Sequence, residues 1–120
     1  NFFAKYPDYF ENPIEAHGIN TAWLAFPLLV KKDAPFERTD FQIYLEKHNI
    51  QTRVVFTGNV TRQPMLKDCE IIVSENGYPN SDAVMERGVL LPLHHGLTDE
   101  MFERFHETVD SFINQISITT

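Results

Sequence analysis

The clearest hydrophobic pattern lies near the end of the chain and predicts a long helix. Apolar residues recur every three or four positions between residues 101 and 116, so they share one helical face. Thr98 precedes this stripe as a candidate N-cap, and Asp99 and Glu100 follow it, where negative charge interacts favourably with the helix dipole. We expect this helix to pack on a sheet through Met101, Phe102, Phe105, Val109, Phe112, Ile113 and Ile116.

Three short segments rich in apolar or β-branched residues predict strands. They are residues 21–30 (TAWLAFPLLV), residues 50–57 (IQTRVVFT) and residues 89–93 (VLLPL). Pro27 cannot donate a hydrogen bond to a β-ladder, so we expect its part of the first strand to lie at a sheet edge or bulge. Pro92 interrupts the third strand in the same way.

Residues in the first half of the chain predict two further helical segments. Residues 1–10 have aromatic residues at helical spacing, although Pro7 would break a long helix there, and residues 12–20 read as a loop. A helix is expected from Thr39, its candidate N-cap, to near Asn49. Its apolar face comprises Phe41, Tyr44, Leu45 and His48.

A short helix before the third strand completes the pattern. Asn80 or Ser81 can cap it, it runs through Arg87, and Gly88 suits the left-handed conformation that ends many helices. Strands and helices therefore alternate along a chain of 120 residues, which is the length of one domain. We predict a fold of the α/β or α+β class, with a small three-stranded sheet covered by helices.

Charge and cysteine content narrow the possible partners. The formal net charge of −7 argues against binding to nucleic acid or to an anionic membrane, because both need a dense field of Lys and Arg. The single cysteine, Cys69, excludes an internal disulfide and is typical of a reducing compartment. No apolar run is long enough to span a membrane, so we expect a cytoplasmic protein.

Motifs for hydrolysis, metal binding and phosphate loops are absent from the sequence. There is no GxSxG motif, no Gly-rich nucleotide loop and no HxxxH pair. His94 and His95 lie in the turn between the third strand and the last helix, where binding groups often collect. We favour a ligand-facing or interface role for one of them over metal binding.

The most promising polar cluster follows the second predicted strand in the stretch TGNVTRQP, residues 57–64. Arg53, Asn59, Arg62 and Gln63 bring two guanidinium groups and two carboxamides close together in sequence. Fork-shaped donors and amides suit a phosphate or a sugar. The alternative is that the arginines are simply solvated and that the Gly-Asn pair only turns the chain.

Two segments resemble a known family. "IQTRVVFTGNVTRQPML" and "PNSDAVMERGVLLPLHHGLTDEMFERF" look like the C-terminal region of the DegT/DnrJ/StrS family of pyridoxal-phosphate enzymes, which act on keto-sugar nucleotides. The resemblance covers about residues 23–113. The GNxTRQP loop most resembles the branch that contains the CDP-4-keto-6-deoxyglucose 3-dehydrases and a related GDP-sugar dehydratase.

The resemblance implies that the cofactor is held elsewhere. Family members bind pyridoxal phosphate in a large N-terminal domain, through a lysine in the aminotransferases and a histidine in its place in the 3-dehydrases. Residues 1–20 would then be the end of an inter-domain helix and a linker, residues 21–120 the C-terminal small domain, and the full-length protein a homodimer. The five lysines of the chain, none in the family's lysine motif, are Lys5, Lys31, Lys32, Lys47 and Lys67.

The resemblance also implies a function. The parent would be a 3-dehydrase or aminotransferase that acts on a 4-keto-6-deoxy sugar nucleotide in deoxysugar or lipopolysaccharide biosynthesis, and this domain would close over the substrate without contributing a catalytic residue. His94 and His95 occupy a turn where members more often carry Tyr-Pro or Phe-Pro. The alternative is a free-standing sugar-nucleotide binding or regulatory module. The expected substrate-binding residues are Arg53, Asn59, Arg62, Gln63, His94 and His95.

Overall fold

The computed structural model of the chain describes residues 2–119, so the predictions that include Asn1 and Thr120 lie partly outside the described residues. It contains four strands and three α-helices within that range. Three short 3₁₀ helices lie at Phe2–Lys5, Val60–Arg62 and Pro64–Leu66. The regular elements are β1 (Phe10–Glu11), β2 (Phe26–Val30), α1 (Arg38–Lys47), β3 (Arg53–Val54), α2 (Pro79–Arg87), β4 (Gly88–Leu91) and α3 (Asp99–Thr119).

The sheet has four antiparallel strands in the order β1-β2-β4-β3, so the α+β class is confirmed and the strand number is corrected from three to four. The additional strand, β1, pairs Phe10 with Val30 within the segment whose aromatic spacing looked helical. Two residues are too few to give an alternating pattern, and only the pairing with β2 identifies them as a strand.

The predicted second strand is much shorter than residues 50–57. Only Arg53 and Val54 pair with β4, opposite Leu90 and Val89. The chain turns immediately afterwards, because Phe56 adopts a positive φ of 48° and its N–H donates to the carbonyl of Val54 at 2.9 Å. This turn redirects the chain into the loop of residues 57–64.

Pro27 occupies the kind of position expected for it. It pairs with Leu90 of β4 on one side, while β1 on the other side reaches only Leu29 and Val30. The sheet is therefore one strand wider at the end of β2 than at Pro27. Pro92 follows β4, which ends at Leu91.

Helix boundaries agree with the sequence patterns to within a few residues. Helix α1 is capped by Glu37 rather than Thr39, because Glu37 and Asp40 form a reciprocal capping box. Helix α2 begins with Pro79 in its first turn, a position where the missing N–H costs nothing. Helix α3 begins after Thr98, whose hydroxyl accepts a hydrogen bond from the Met101 N–H at 3.3 Å, as predicted.

Gly88 is the clearest correction to the helix ends. Its φ is −78° and its ψ is 137°, so it is extended and begins β4 instead of ending α2 in a left-handed conformation. The glycine is required for a different reason. A Cβ at Gly88 would lie 2.5 Å from the carbonyl oxygen of Val84, because the strand leaves the helix without an intervening residue.

The core lies between the sheet and the helices α1 and α3. Rings of Phe36, Phe41 and Phe112 pack together, with centroids 4.9 Å apart for Phe36 and Phe112 and 5.3 Å apart for Phe41 and Phe112. Residues 2–10 belong to this core, because Phe3 and Phe10 are buried. No helix of the described chain is long and apolar enough to cross a membrane. The buried apolar residues are Phe3, Phe10, Leu28, Val30, Phe36, Phe41, Leu45, Val89, Leu91, Val109, Phe112 and Ile113.

Candidate functional site

Asn59 is the buried centre of the loop that follows β3. Only 3% of its surface is exposed. Its Oδ1 accepts hydrogen bonds from the Thr61 N–H at 3.0 Å and the Thr61 hydroxyl at 2.7 Å, and its Nδ2 donates to Asp82 at 2.7 Å. Asn59 thereby caps the 3₁₀ helix of Val60–Arg62 and ties the loop to α2. Its carboxamide is used within the domain.

Arg62 binds the same carboxylate through two parallel hydrogen bonds. Its Nε donates to Oδ1 of Asp82 at 3.0 Å and its Nη2 donates to Oδ2 at 2.9 Å. The Arg62 side chain nevertheless remains 62% exposed, against 23% for Asp82. The hydrogen bonds from Arg62, and then that from Asn59, lower the pKa of Asp82 to about 2.

Two further contacts fix the loop conformation. Gly58 has a φ of 63°, and a Cβ there would lie 2.3 Å from the Cβ of Met85, so the loop backbone lies directly against α2. The Gln63 side chain donates from Nε2 to the carbonyl of Thr57 at 3.1 Å and closes the loop on itself. Residues from 57 to 63 are therefore held in one conformation by contacts within the domain.

Arg53 is exposed on β3, and the structure places no carboxylate within ion-pair distance of it among residues 2–119. It lies opposite Leu90 in the middle of β4. The next residue, Val54, pairs with Val89, so β3 runs towards the Gly88 end of β4. The loop and Asp82 are found at that end. Arg53 and the loop thus belong to one side of the domain.

The two histidines lie at the other end of β4. They follow Leu91, whereas the loop lies beyond Gly88, so the structure does not bring all six predicted residues together. His94 Nδ1 accepts a hydrogen bond from the Gly96 N–H at 3.1 Å, and the rings of His94 and His95 are 6.4 Å apart. Within residues 2–119 no three His, Cys, Asp or Glu side chains converge as metal ligands would.

A large apolar cleft of about 970 Å³ adjoins His94, and sequence reasoning missed it. Its walls come from the first turns of α3, the end of β4, the N-terminal segment and residues 49–51 after α1. One wall is a stack of the Phe2 ring on the His106 imidazole, with centroids 4.0 Å apart. Burial, followed by the nearby charge of Lys5, lowers the pKa of His106. The helical stripe indicated that Phe102 and Phe105 would be covered, but nothing in the sequence paired Phe2 with His106.

The sequence matches the DegT/DnrJ/EryC1/StrS aminotransferase family over residues 3–110. The chain belongs to this family. The match covers every element from the N-terminal segment to the middle of α3, including the loop of residues 57–64. It confirms the family predicted from the two sequence segments.

Two curated relatives are similar to most of this chain, and the first is named as a sugar-nucleotide 3-dehydratase. The chain is 30% identical over 105 residues to a dTDP-4-dehydro-2,6-dideoxy-D-glucose 3-dehydratase of Saccharopolyspora spinosa, covering 88% of this chain and 22% of the relative. It is 28% identical over 94 residues to the lipopolysaccharide biosynthesis protein RfbH of Salmonella typhimurium, covering 78% of this chain and 21% of that protein. The chain therefore spans about a fifth of the length of these relatives.

A solved structure agrees with both the family and the fold. The chain is 25% identical to a GDP-4-keto-6-deoxymannose-3-dehydratase determined with a trapped PLP-glutamate geminal diamine. The TM-score is 0.71, and the similarity covers 89% of this chain and 28% of that one.

None of the five lysines of the chain is buried in the part that the structure describes. Lys5 forms an ion pair with Asp110 at 2.8 Å, and Lys31 and Lys32 border a groove that they share with Glu37 and Asp40. Neither Lys47 nor Lys67, both exposed, lines this groove or the apolar cleft.

Proposed function

We propose that the chain is the C-terminal small domain of a pyridoxal-phosphate-dependent enzyme that acts on a 4-keto-6-deoxy sugar nucleotide in deoxysugar or lipopolysaccharide biosynthesis. The parent would be a 3-dehydrase or an aminotransferase, and this chain, whose N-terminal residues Phe3 and Phe10 share its core, would close over the substrate. The observation that carries this proposal is the 30% identity to a sugar-nucleotide 3-dehydratase across nearly the whole chain, which equals only 22% of that relative.

The chain's own contribution would be to position the substrate. The cofactor, when bound elsewhere in the parent, supplies the electron sink, and the protein holds the substrate in place and excludes water. Arg53 and Arg62 would contact an anionic part of the sugar nucleotide, because guanidinium groups match phosphate geometry. Correct orientation alone can lower a barrier by several kcal/mol without proton transfer by these residues.

The other predicted contacts have more specific places in this proposal. Asn59 is buried, so it would act by shaping the loop. Gln63 has its amide nitrogen occupied by Thr57, which leaves its carbonyl oxygen to accept from a sugar hydroxyl. His94 and His95 would contact the far end of an extended ligand that runs along β4, because they follow the opposite end of that strand.

The test is the cofactor and substrate chemistry of the full-length protein. We expect its absorbance to show bound pyridoxal phosphate, and we expect turnover of a 4-keto-6-deoxy sugar nucleotide. Addition of glutamate separates the two reactions, because an aminotransferase yields an amino sugar and a 3-dehydrase yields a 3-deoxy sugar.

Two negative results would end the proposal or change it. A full-length protein that neither binds the cofactor nor converts such a sugar is no enzyme of this kind. Binding of the sugar nucleotide without cofactor or turnover would instead support the free-standing binding module.

A further inference from the structure

The Arg62 guanidinium has two edges that can each bind an acceptor, and the domain uses one of them. The edge formed by Nε and Nη2 is occupied by Asp82. Among the described residues, no acceptor lies within hydrogen-bond distance of Nη1. Because the guanidinium is planar and rigid, fixing one edge also fixes the direction of the other.

Asp82 is placed to fix that direction. It lies in the first turn of α2, and its carboxylate accepts from Asn59 as well as from Arg62. Asn59 is buried and holds the loop backbone through Thr61, so the carboxylate is anchored to the loop that carries Arg62. An ion pair as exposed as this one contributes little to folding stability. The role of this ion pair is therefore better judged from its geometry than from its contribution to stability.

We propose that Asp82 is a positioning residue. By holding the Nε–Nη2 edge of Arg62, it aims the other edge, formed by Nη1 and Nη2, at a phosphate-type anionic group of the ligand. This inference rests on the proposed function, because it assigns Arg62 to a sugar nucleotide. Asp82 itself contacts no ligand in this arrangement. The loop is then already organised before the ligand arrives, which reduces the conformational entropy lost on binding.

A competing arrangement predicts the opposite change in ligand affinity when the Asp82 carboxylate is removed. If the ligand had to displace Asp82 in order to reach the Nε–Nη2 edge of Arg62, then removing the carboxylate would strengthen ligand binding. If Asp82 positions Arg62, removing the carboxylate weakens binding, because the guanidinium becomes free to rotate. The sign of one affinity change therefore separates the two arrangements.

The experiment measures nucleoside diphosphate binding to the full-length protein by isothermal titration calorimetry. The probes are dTDP, CDP and GDP, and the tightest binder of the three is used throughout. We expect Asp82→Asn, which keeps the side-chain shape, to weaken binding on the order of tenfold, and Arg62→Ala to weaken it by at least as much. Asp99→Asn, at an exposed acid in the first turn of α3, is the matched control and should bind as the unaltered protein does.

A double-mutant cycle separates positioning from a merely structural role. If Asp82 acts through Arg62, the protein with both substitutions binds no more weakly than Arg62→Ala alone. An additional loss in the double variant would overturn the inference, because Asp82 would then act through the rest of the loop. Unchanged or tighter binding by Asp82→Asn overturns it as well.

Two safeguards keep the outcome decisive. If Asp82→Asn does not fold, Arg62→Lys tests the same geometry, since an ammonium group can pair with Asp82 but has no second fork edge. Weakened binding with unchanged thermal stability supports the inference, and unaltered binding refutes it. The proposed function fails separately: it is refuted by absence of cofactor binding and turnover in the unaltered protein, whatever the variants do.

Discussion

Replacing Gly58 with alanine is the sharpest test of how the loop is held. Two glycines have almost the same positive φ, 63° at Gly58 and 64° at Gly77, so both substitutions impose the same backbone strain. An alanine Cβ at Gly77 meets nothing within 4 Å, whereas at Gly58 it would lie 2.3 Å from Met85 Cβ and 2.5 Å from Met85 Cα. The pair therefore separates strain from steric overlap.

The expected magnitudes follow from these two terms. A left-handed conformation costs a non-glycine residue roughly 1–2 kcal/mol, which is the whole effect expected for Gly77→Ala. Overpacking typically adds about 1–3 kcal/mol, so Gly58→Ala should lose roughly 2–5 kcal/mol of unfolding free energy. Urea denaturation of the 120-residue chain, followed by the fluorescence of Trp23, its only tryptophan, measures both values.

A second substitution checks the cause. Met85→Ala should not rescue Gly58→Ala, because the closest atoms are the Cβ and Cα that alanine retains. Hydrogen exchange at Arg62 and Gln63, whose N–H groups donate to the carbonyls of Asn59 and Val60, should accelerate in Gly58→Ala. Equal destabilisation by Gly58→Ala and Gly77→Ala, or full rescue by Met85→Ala, would refute the packing of this loop on α2.

Three other substitutions test the core and the titrating groups. Phe41→Ala should lose about 3–5 kcal/mol of unfolding free energy because the ring is fully buried, while Phe56→Ala, 85% exposed, should change it by less than about 0.5 kcal/mol in the same urea assay. The pKa of His106 is lowered in the folded state, so its contribution to stability is present above about pH 6.5 and is lost as the pH falls towards the lowered pKa. His106→Phe should therefore flatten the pH dependence of the melting temperature below pH 6.5, and an unchanged slope would contradict this. Asp82 has a folded pKa of about 2, so its small contribution to stability is present above about pH 3.9 and is lost as the pH falls towards 2. An NMR titration midpoint near 4 would contradict its pairing with Arg62.

The sequence predicted elements whose pattern repeats many times and missed those defined by a single contact. Helix α3 was predicted from its cap and stripe because seven apolar positions agree on one face. Strand β1 has only two residues, and its partner strand lies about twenty positions away, so its local aromatic spacing pointed to a helix instead. Gly88 was predicted to end α2 in a left-handed conformation, which is the commonest role of a glycine after a helix. In the structure a glycine is needed there because the backbone lies close to the carbonyl of Val84.

The candidate site was predicted in the same partial way. The loop residues were found because guanidinium and carboxamide groups cluster in sequence, but sequence distance does not reveal that Asn59 and Arg62 share Asp82 from a helix twenty residues away. The substrate-binding roles of all six residues stay predictions, namely those of Arg53, Asn59, Arg62, Gln63, His94 and His95. Nothing in the linear sequence indicates that the histidine pair and the loop lie at opposite ends of β4.

The direct junction between α2 and β4 has a practical consequence for chimeric proteins of this family. Arg87 ends the helix and Gly88 begins the strand, with no residue between them to absorb a change in register. One inserted residue that extended the helix would turn it by about 100° relative to the strand and carry Asp82 away from the loop. Transplantation of this loop into a homologous scaffold should therefore take residues 53–91 as one cassette.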